Sequence, residues 1–175
     1  IINYENAISI NPTYAEAYNN LGNTKREIAD IEAAIICYKK AIVLNHNYAE
    51  AYNNLGIILQ STGELEKAIE NYTNAIRFNP LYSEAYNNRG ILQSKLKDYS
   101  SAIMDFSRAI EITPNFASPY SNRGIAKGKV NDHEGAIDDY NKAIKLIPDF
   151  ASAYFNRGVA YRKLNNYKKA IDDFT

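Results

Sequence analysis

Few residues in this chain could do chemistry, and their spacing limits what that chemistry is. There are two histidines, His46 and His133, and one cysteine, Cys37. Acid–base or nucleophilic catalysis needs titratable groups that converge, and a metal site needs several ligands at fixed spacings. Neither histidine recurs in a pattern, so both are read as structural or neutral. A lone thiol forms neither an intrachain disulfide nor a multi-cysteine metal site. The close glycine pair Gly124 and Gly128 spells no phosphate-binding loop, and the glycosylation triplet Asn71-Tyr72-Thr73 lies in helical text. No catalytic residue, metal or cofactor is therefore expected. Asparagine is different. Asn20, Asn54, Asn88, Asn122 and Asn156 stand 34 residues apart, and Asn19, Asn53 and Asn87 precede three of them. A helix interior disfavours asparagine, so its return needs a reason. An amide both donates and accepts, which suits the backbone of an extended peptide; the alternative is that the amides bond across neighbouring elements.

The elements that must carry these amides show the same period. Glycines fall at Gly22, Gly56, Gly90, Gly124 and Gly158 within the phrases AYNNLG, AYNNLG, AYNNRG, PYSNRG and AYFNRG. Alanines follow at Ala34, Ala68, Ala102, Ala136 and Ala170, and again at Ala41, Ala75, Ala109 and Ala143. Between them, apolar residues take the i, i+3, i+4, i+7 spacing of two amphipathic helices, as in Tyr86, Gly90, Ile91 and then Ala102, Ile103, Phe106, Ala109, Ile110. Asp30, Asp98 and Asp132 stand where they can cap the second helix of a pair. Thr13 with Glu16 reads as a capping box for the first helix, and Asn47 with Glu50 as a looser one. Five mid-helix glycines would together cost roughly 5 kcal/mol relative to alanine, a loss that close backbone approach of the paired helices is expected to offset. Helices this short are marginal alone, so stability must come from stacking pair on pair.

These residues resemble the tetratricopeptide repeat (TPR), whose aromatic, small and proline positions match here in register over the whole chain. Tyr18, Tyr52, Tyr86, Tyr120 and Tyr154 replace the family's usual tryptophan, and His46 stands where Pro12, Pro80, Pro114 and Pro148 stand elsewhere. The resemblance implies an all-α superhelical solenoid of antiparallel helix pairs. It divides a single array into the second helix of a preceding repeat (1–14), complete repeats 15–48, 49–82, 83–116 and 117–150, and an incomplete fifth, 151–175. In this family the first helices line a concave groove, so the asparagine ladder would face a ligand, outside the helix packing. The ladder is similar to the one lining the TPR half of O-linked N-acetylglucosamine transferase. The clamp that other TPR domains use for the acidic tails of heat-shock chaperones is not matched: its cationic places hold Asn19 or Asn53, Glu84 or Ser118, and Asn88 or Asn122.

Charge refines the picture. The 20 basic and 20 acidic residues cancel, so charge alone recruits neither nucleic acid nor an anionic membrane. Residues 1–88 carry a net −4 and residues 89–175 a net +4. Lys95, Lys129 and Lys163 share one repeat position and, by the resemblance, would join the ligand face; helix-end cations that complement the macrodipole are the alternative. One pair of positions changes together. Leu21 and Leu55 go with Cys37 and Asn71, whereas Arg89, Arg123 and Arg157 go with Asp105, Asp139 and Asp173, which predicts ion pairs between the two helices of a repeat or with its neighbour.

The expected function is a scaffold that binds a protein or an extended peptide segment, with no nucleic acid or membrane partner and no activity of its own. The alternative is the substrate-recognition arm of a larger enzyme such as a glycosyltransferase. The first residue is Ile1, and a piece of a longer, cytoplasmic chain is expected. The ends, at Ile1, Tyr4, Ile8, Ile171 and Phe174, would lack a covering helix and invite self-association.

Overall fold

A computed structural model describes residues 2–175, with eleven α-helices and no strand among them. The chain divides into two compact units, Ile1–Ala85 and Tyr86–Thr175. Unit 1 contains α1 (Ile2–Ile10), α2 (Ala15–Glu27), α3 (Ile31–Leu44), α4 (Ala49–Ser61) and α5 (Leu65–Phe78). Unit 2 contains most of α6 (Ser83–Lys95), then α7 (Tyr99–Ile112), α8 (Ala117–Lys129), α9 (His133–Leu146), α10 (Ala151–Lys163) and α11 (Tyr167–Phe174). In unit 1, α2 packs on α3 and α4 on α5, with α3 against α4 and α1 against α2. In unit 2, α8 packs on α9 and α10 on α11, with α7 against α8 and α9 against α10.

Each pair turns on two residues. The first adopts the left-handed conformation: Ala29 (φ 60°), Gly63 (φ 87°), Lys97 (φ 66°), Asn131 (φ 66°) and Asn165 (φ 58°). It lets the next N–H reach back five residues, as Asp30 N does to Lys25 O at 2.9 Å and Asp132 N to Lys127 O at 3.0 Å, which satisfies a carbonyl at the helix end. The second residue then caps the following helix. Asp30, Asp98 and Asp132 accept from Ala33, Ser101 and Gly135 N–H, as the spacing predicted, and Asn166 does the same from Lys169. Glu64, one methylene longer, makes no cap and instead meets Lys67 at 2.6 Å on the surface.

The expected capping boxes do not form. α2 and α4 start after Tyr14 and Tyr48, without a side-chain cap. Asn11 Oδ1 accepts from Thr13 N–H at 3.1 Å and from its hydroxyl at 2.8 Å, and Asn45 Oδ1 accepts from Asn47 N–H at 3.1 Å. These tight asparagine turns engage Thr13 and Asn47 one step before the helix begins. The turn at His46 closes as its proline-bearing counterparts do, with Tyr48 N donating to Asn45 O at 3.1 Å and Tyr82 N to Asn79 O at 3.1 Å.

The glycines also act differently from expectation. What occupies the space beside each is an aromatic ring rather than backbone. A Cβ on Gly22 would lie 2.7 Å from the Tyr38 ring, one on Gly90 2.8 Å from Phe106, and one on Gly158 2.6 Å from Phe174. Tyr72 and Tyr140 fill the same seats at Gly56 and Gly124. The alanines, by contrast, do mark close approach: Ala34, Ala41, Ala68, Ala75, Ala102, Ala109, Ala136 and Ala143 are fully buried.

At the extremities, Tyr4, Ile171 and Phe174 are exposed and Ile8 is half-buried, while Ile1 lies outside the described residues.

Candidate functional site

The ladder asparagines fall on the first helix of every pair, and the structure separates them by partner. Asn54 is buried, and its Nδ2 donates to Asn19 Oδ1 at 3.0 Å; Asn19, fully buried, in turn donates to Glu50 at 3.1 Å. Unit 2 repeats the link, with Asn122 Nδ2 donating to Asn87 Oδ1 at 3.0 Å. These bonds tie one first helix to the next, α2 to α4 and α6 to α8. Asn54 and Asn122 therefore belong to the packing as well as to the face, a correction to the expectation that the whole ladder stands outside it. Asn53 and Asn87 are buried, whereas Asn20, Asn88 and Asn156 are half-buried and Lys95, Lys129 and Lys163 are exposed.

The arginine–aspartate pairs form within single repeats and are bidentate. Arg89 meets Asp105 at 2.7 and 2.8 Å, Arg123 meets Asp139 at 2.9 and 2.6 Å, and Arg157 Nε donates to Asp173 at 2.9 Å. Arg123 also donates to Ser107 and Arg157 to Asn141, both on the preceding second helix. Their guanidinium groups lie over the rings of Tyr86, Tyr120 and Tyr154. Held by a carboxylate and a ring, these arginines are a structural device that joins the paired helices.

A cavity of about 210 Å³ opens among α8, α9 and α10. It gathers Asn156 and Lys163 from α10 with Lys129 from α8, so three residues of the ligand face expected from sequence line one space, beside Val159 and Ile125. Lys95 is not on it. His133 and Tyr140 of α9 complete the wall, neither of which the sequence had marked for binding. Among the described residues no cluster of histidine, cysteine or carboxylate side chains could hold a metal ion, and no helix is long and apolar enough to cross a membrane.

Known families match this architecture. Models described as TPR repeat or tetratricopeptide repeat match residues 3–36, 25–63, 49–82, 83–116 and 129–165, which together span most of the chain. The chain belongs to the TPR family. Among solved structures, that of MamA protein is 28% identical with a TM-score of 0.82, covering 91% of this chain and 87% of that one. YrrB, described as a TPR protein with an unusual peptide-binding site, is 24% identical with a TM-score of 0.81, covering 97% and 88%. PilF of Pseudomonas aeruginosa is 21% identical with a TM-score of 0.84, covering 91% and 73%. Among curated proteins there is no match.

Within this TPR chain the cavity has a sequence origin that repeat-by-repeat comparison exposes. Gly128 stands where α4 has Gln60, and Ala160 where α4 has Ile58 and α6 has Leu92. Ile58 and Leu92 are buried and fill their space. Two large-to-small changes leave the room between α8 and α10.

Proposed function

We propose that this chain binds extended peptide segments of other proteins along the exposed faces of its first helices. The observation that carries this reading is the cavity of unit 2, where a ladder asparagine, two branched apolar residues and two lysines from successive first helices meet around one space. The chemistry fits an extended backbone. Asn156 offers a donor and an acceptor, Ile125 and Val159 offer apolar contact, and the lysines add charge at the rim. The same repeat positions in unit 1 hold Asn20 and Ile57, both half-buried. The fold is shared with YrrB, whose peptide-binding site gives a precedent for a TPR protein of this size.

A displayed library of nine-residue peptides, panned against the whole chain, tests the reading. Enriched sequences are expected, and a neutral hydrogen bond contributes only about 0.5–1.5 kcal/mol net, so Asn156→Ala should weaken them by about tenfold or less. Its melting temperature should stay unchanged, since among the described residues Asn156 makes no inter-helix bond of the Asn54 kind. Absence of enrichment, or binding indifferent to Asn156, Ile125 and Val159 changed together, would overturn it.

A further inference from the structure

The ring seats of the repeats differ in one respect that bears on this cavity. In unit 1 each seated tyrosine spends its hydroxyl inside the protein: Tyr38 donates to Asn23 at 2.8 Å and Tyr72 to Gln60 at 2.9 Å. Tyr140 is only 3% exposed, yet Gly128 stands in the place of Gln60 and Ile125 in the place of Asn23, so both partners are gone. Its hydroxyl has no partner among the described residues and is not sealed off from solvent, which leaves its access through the cavity that Tyr140 lines. A hydroxyl within a nearly buried residue asks for an acceptor.

The charge around it asks for an anion. Lys129 and Lys163 line the cavity, at positions that in α2 and α4 hold Glu27 and Ser61. No carboxylate lines it. The aspartates nearest in sequence are engaged elsewhere: Asp132 caps α9, and Asp139 is gripped by Arg123 and by Lys127 at 2.9 Å. In the neighbouring repeat Tyr99 stands where His133 does and packs on the core, and Phe106 brings no hydroxyl.

We infer that the cavity among α8, α9 and α10 is a pocket for an oxyanion carried by the bound segment, the carboxylate of an acidic side chain or a phosphate. Tyr140 and Asn156 donate hydrogen bonds to it, and Lys129 and Lys163 supply the countercharge. A volume of about 210 Å³ holds one such side chain with a few waters. This assignment rests on the peptide-binding reading for the source of the anion, but not for the anion site itself.

The experiment has two arms. In the first, peptide pools with a fixed central glutamate, phosphoserine, glutamine or alanine are compared on the wild type, on Gly128→Gln and on the double variant Lys129→Ser with Lys163→Ser. Gly128→Gln copies α4, gives Tyr140 back its internal partner and fills the cavity. The wild type should prefer glutamate or phosphoserine over glutamine by about tenfold, and which of the two is stronger identifies the source. Both variants should keep the helical circular dichroism of the wild type and lose the preference for glutamate or phosphoserine over glutamine. A preference that survives both variants overturns the pocket. In the second arm, inorganic phosphate is titrated while the Tyr140 ring and the Lys129 and Lys163 ammonium resonances are followed by NMR. Saturable shifts in the wild type, absent from Gly128→Gln, are expected even if no peptide binds at all. No saturable shift at those groups overturns the inference independently of the peptide reading.

Discussion

The same slot is filled in opposite ways in the two units. Between the paired helices, unit 1 sets Leu21 opposite Cys37 and Leu55 opposite Asn71, and both leucines are buried. Unit 2 sets Arg89, Arg123 and Arg157 against aspartates whose side chains are 8%, 4% and 5% exposed. The slot accepts a long stem of either character, but the two solutions fail differently. An apolar stem loses only its contacts when cut, whereas a charge buried with its partner becomes a liability once that partner is removed. The seats differ in the same spirit: unit 1 fills its two with tyrosine, unit 2 its three with Phe106, Tyr140 and Phe174.

Alkali should separate the units most. Burial pushes Tyr38, Tyr48 and Tyr82 up to about 12, helped by Glu50, and it raises Tyr72 in the same direction. In unit 2, Tyr140 is raised by burial and by Asp139. A phenol whose folded value is raised loses its proton first in the unfolded chain. Stability is thus intact below about pH 10 and falls between about pH 10 and 12. Denaturant unfolding followed across that range should show the fall, and Tyr38→Phe with Tyr72→Phe, the residue in two of unit 2's three seats, should flatten it more than Tyr140→Phe does. An alkaline loss untouched by the double change would break the contrast.

Cutting one ion pair comes next. Asp139→Ala strands Arg123 and Lys127 and should cost about 3 kcal/mol, the low end for a buried pair because Arg123 keeps part of its side chain in water. Arg123→Leu with Asp139→Cys, copying Leu21 and Cys37, should restore most of that loss. Additive losses in the double-mutant cycle would show that no pairing exists.

Gly124→Ala and Gly22→Ala should each cost about 1–3 kcal/mol through overpacking against the ring, despite alanine's better helix propensity. Here the units should agree, since both seat a ring, and a loss in one only would mean that the seats are not equivalent. The smallest effect should be a gain. Gln93 Oε1 is buried without a partner, and the same position in α4 is Leu59, so Gln93→Leu should stabilise by about 1 kcal/mol in a thermal melt.

Much of this is legible in the sequence itself. The step from Gly22 to Gly158 exposes the repeats because one backbone solution is used five times, and the joint change of arginine and aspartate exposes the ion pairs because repeats vary against one another. Asp30, Asp98 and Asp132 could be read as caps from local chemistry alone. What escaped depended on geometry that spacing does not encode. Thr13 looked like a cap, but the Asn11 turn claims it. Gly22 looked like a site of backbone contact, but the ring of Tyr38, 16 residues on, fills the space. The bond from Asn54 to Asn19 joins residues 35 apart, one off the period, so only the packed helices reveal it. The cavity left a readable trace in Gly128 and Ala160, but its meaning required knowing that Gln60 and Ile58 fill the same space.

Cys37 adds a practical corollary. It is the sole thiol of the chain, 8% exposed, and burial pushes its pKa up, so in the closed state it should be nearly inert toward alkylating reagents. Every modification event then records a moment when α3 has parted from its neighbours. With no mutation and no label, the pace of alkylation becomes a clock for breathing in unit 1, and a ligand that clamps that unit should slow it.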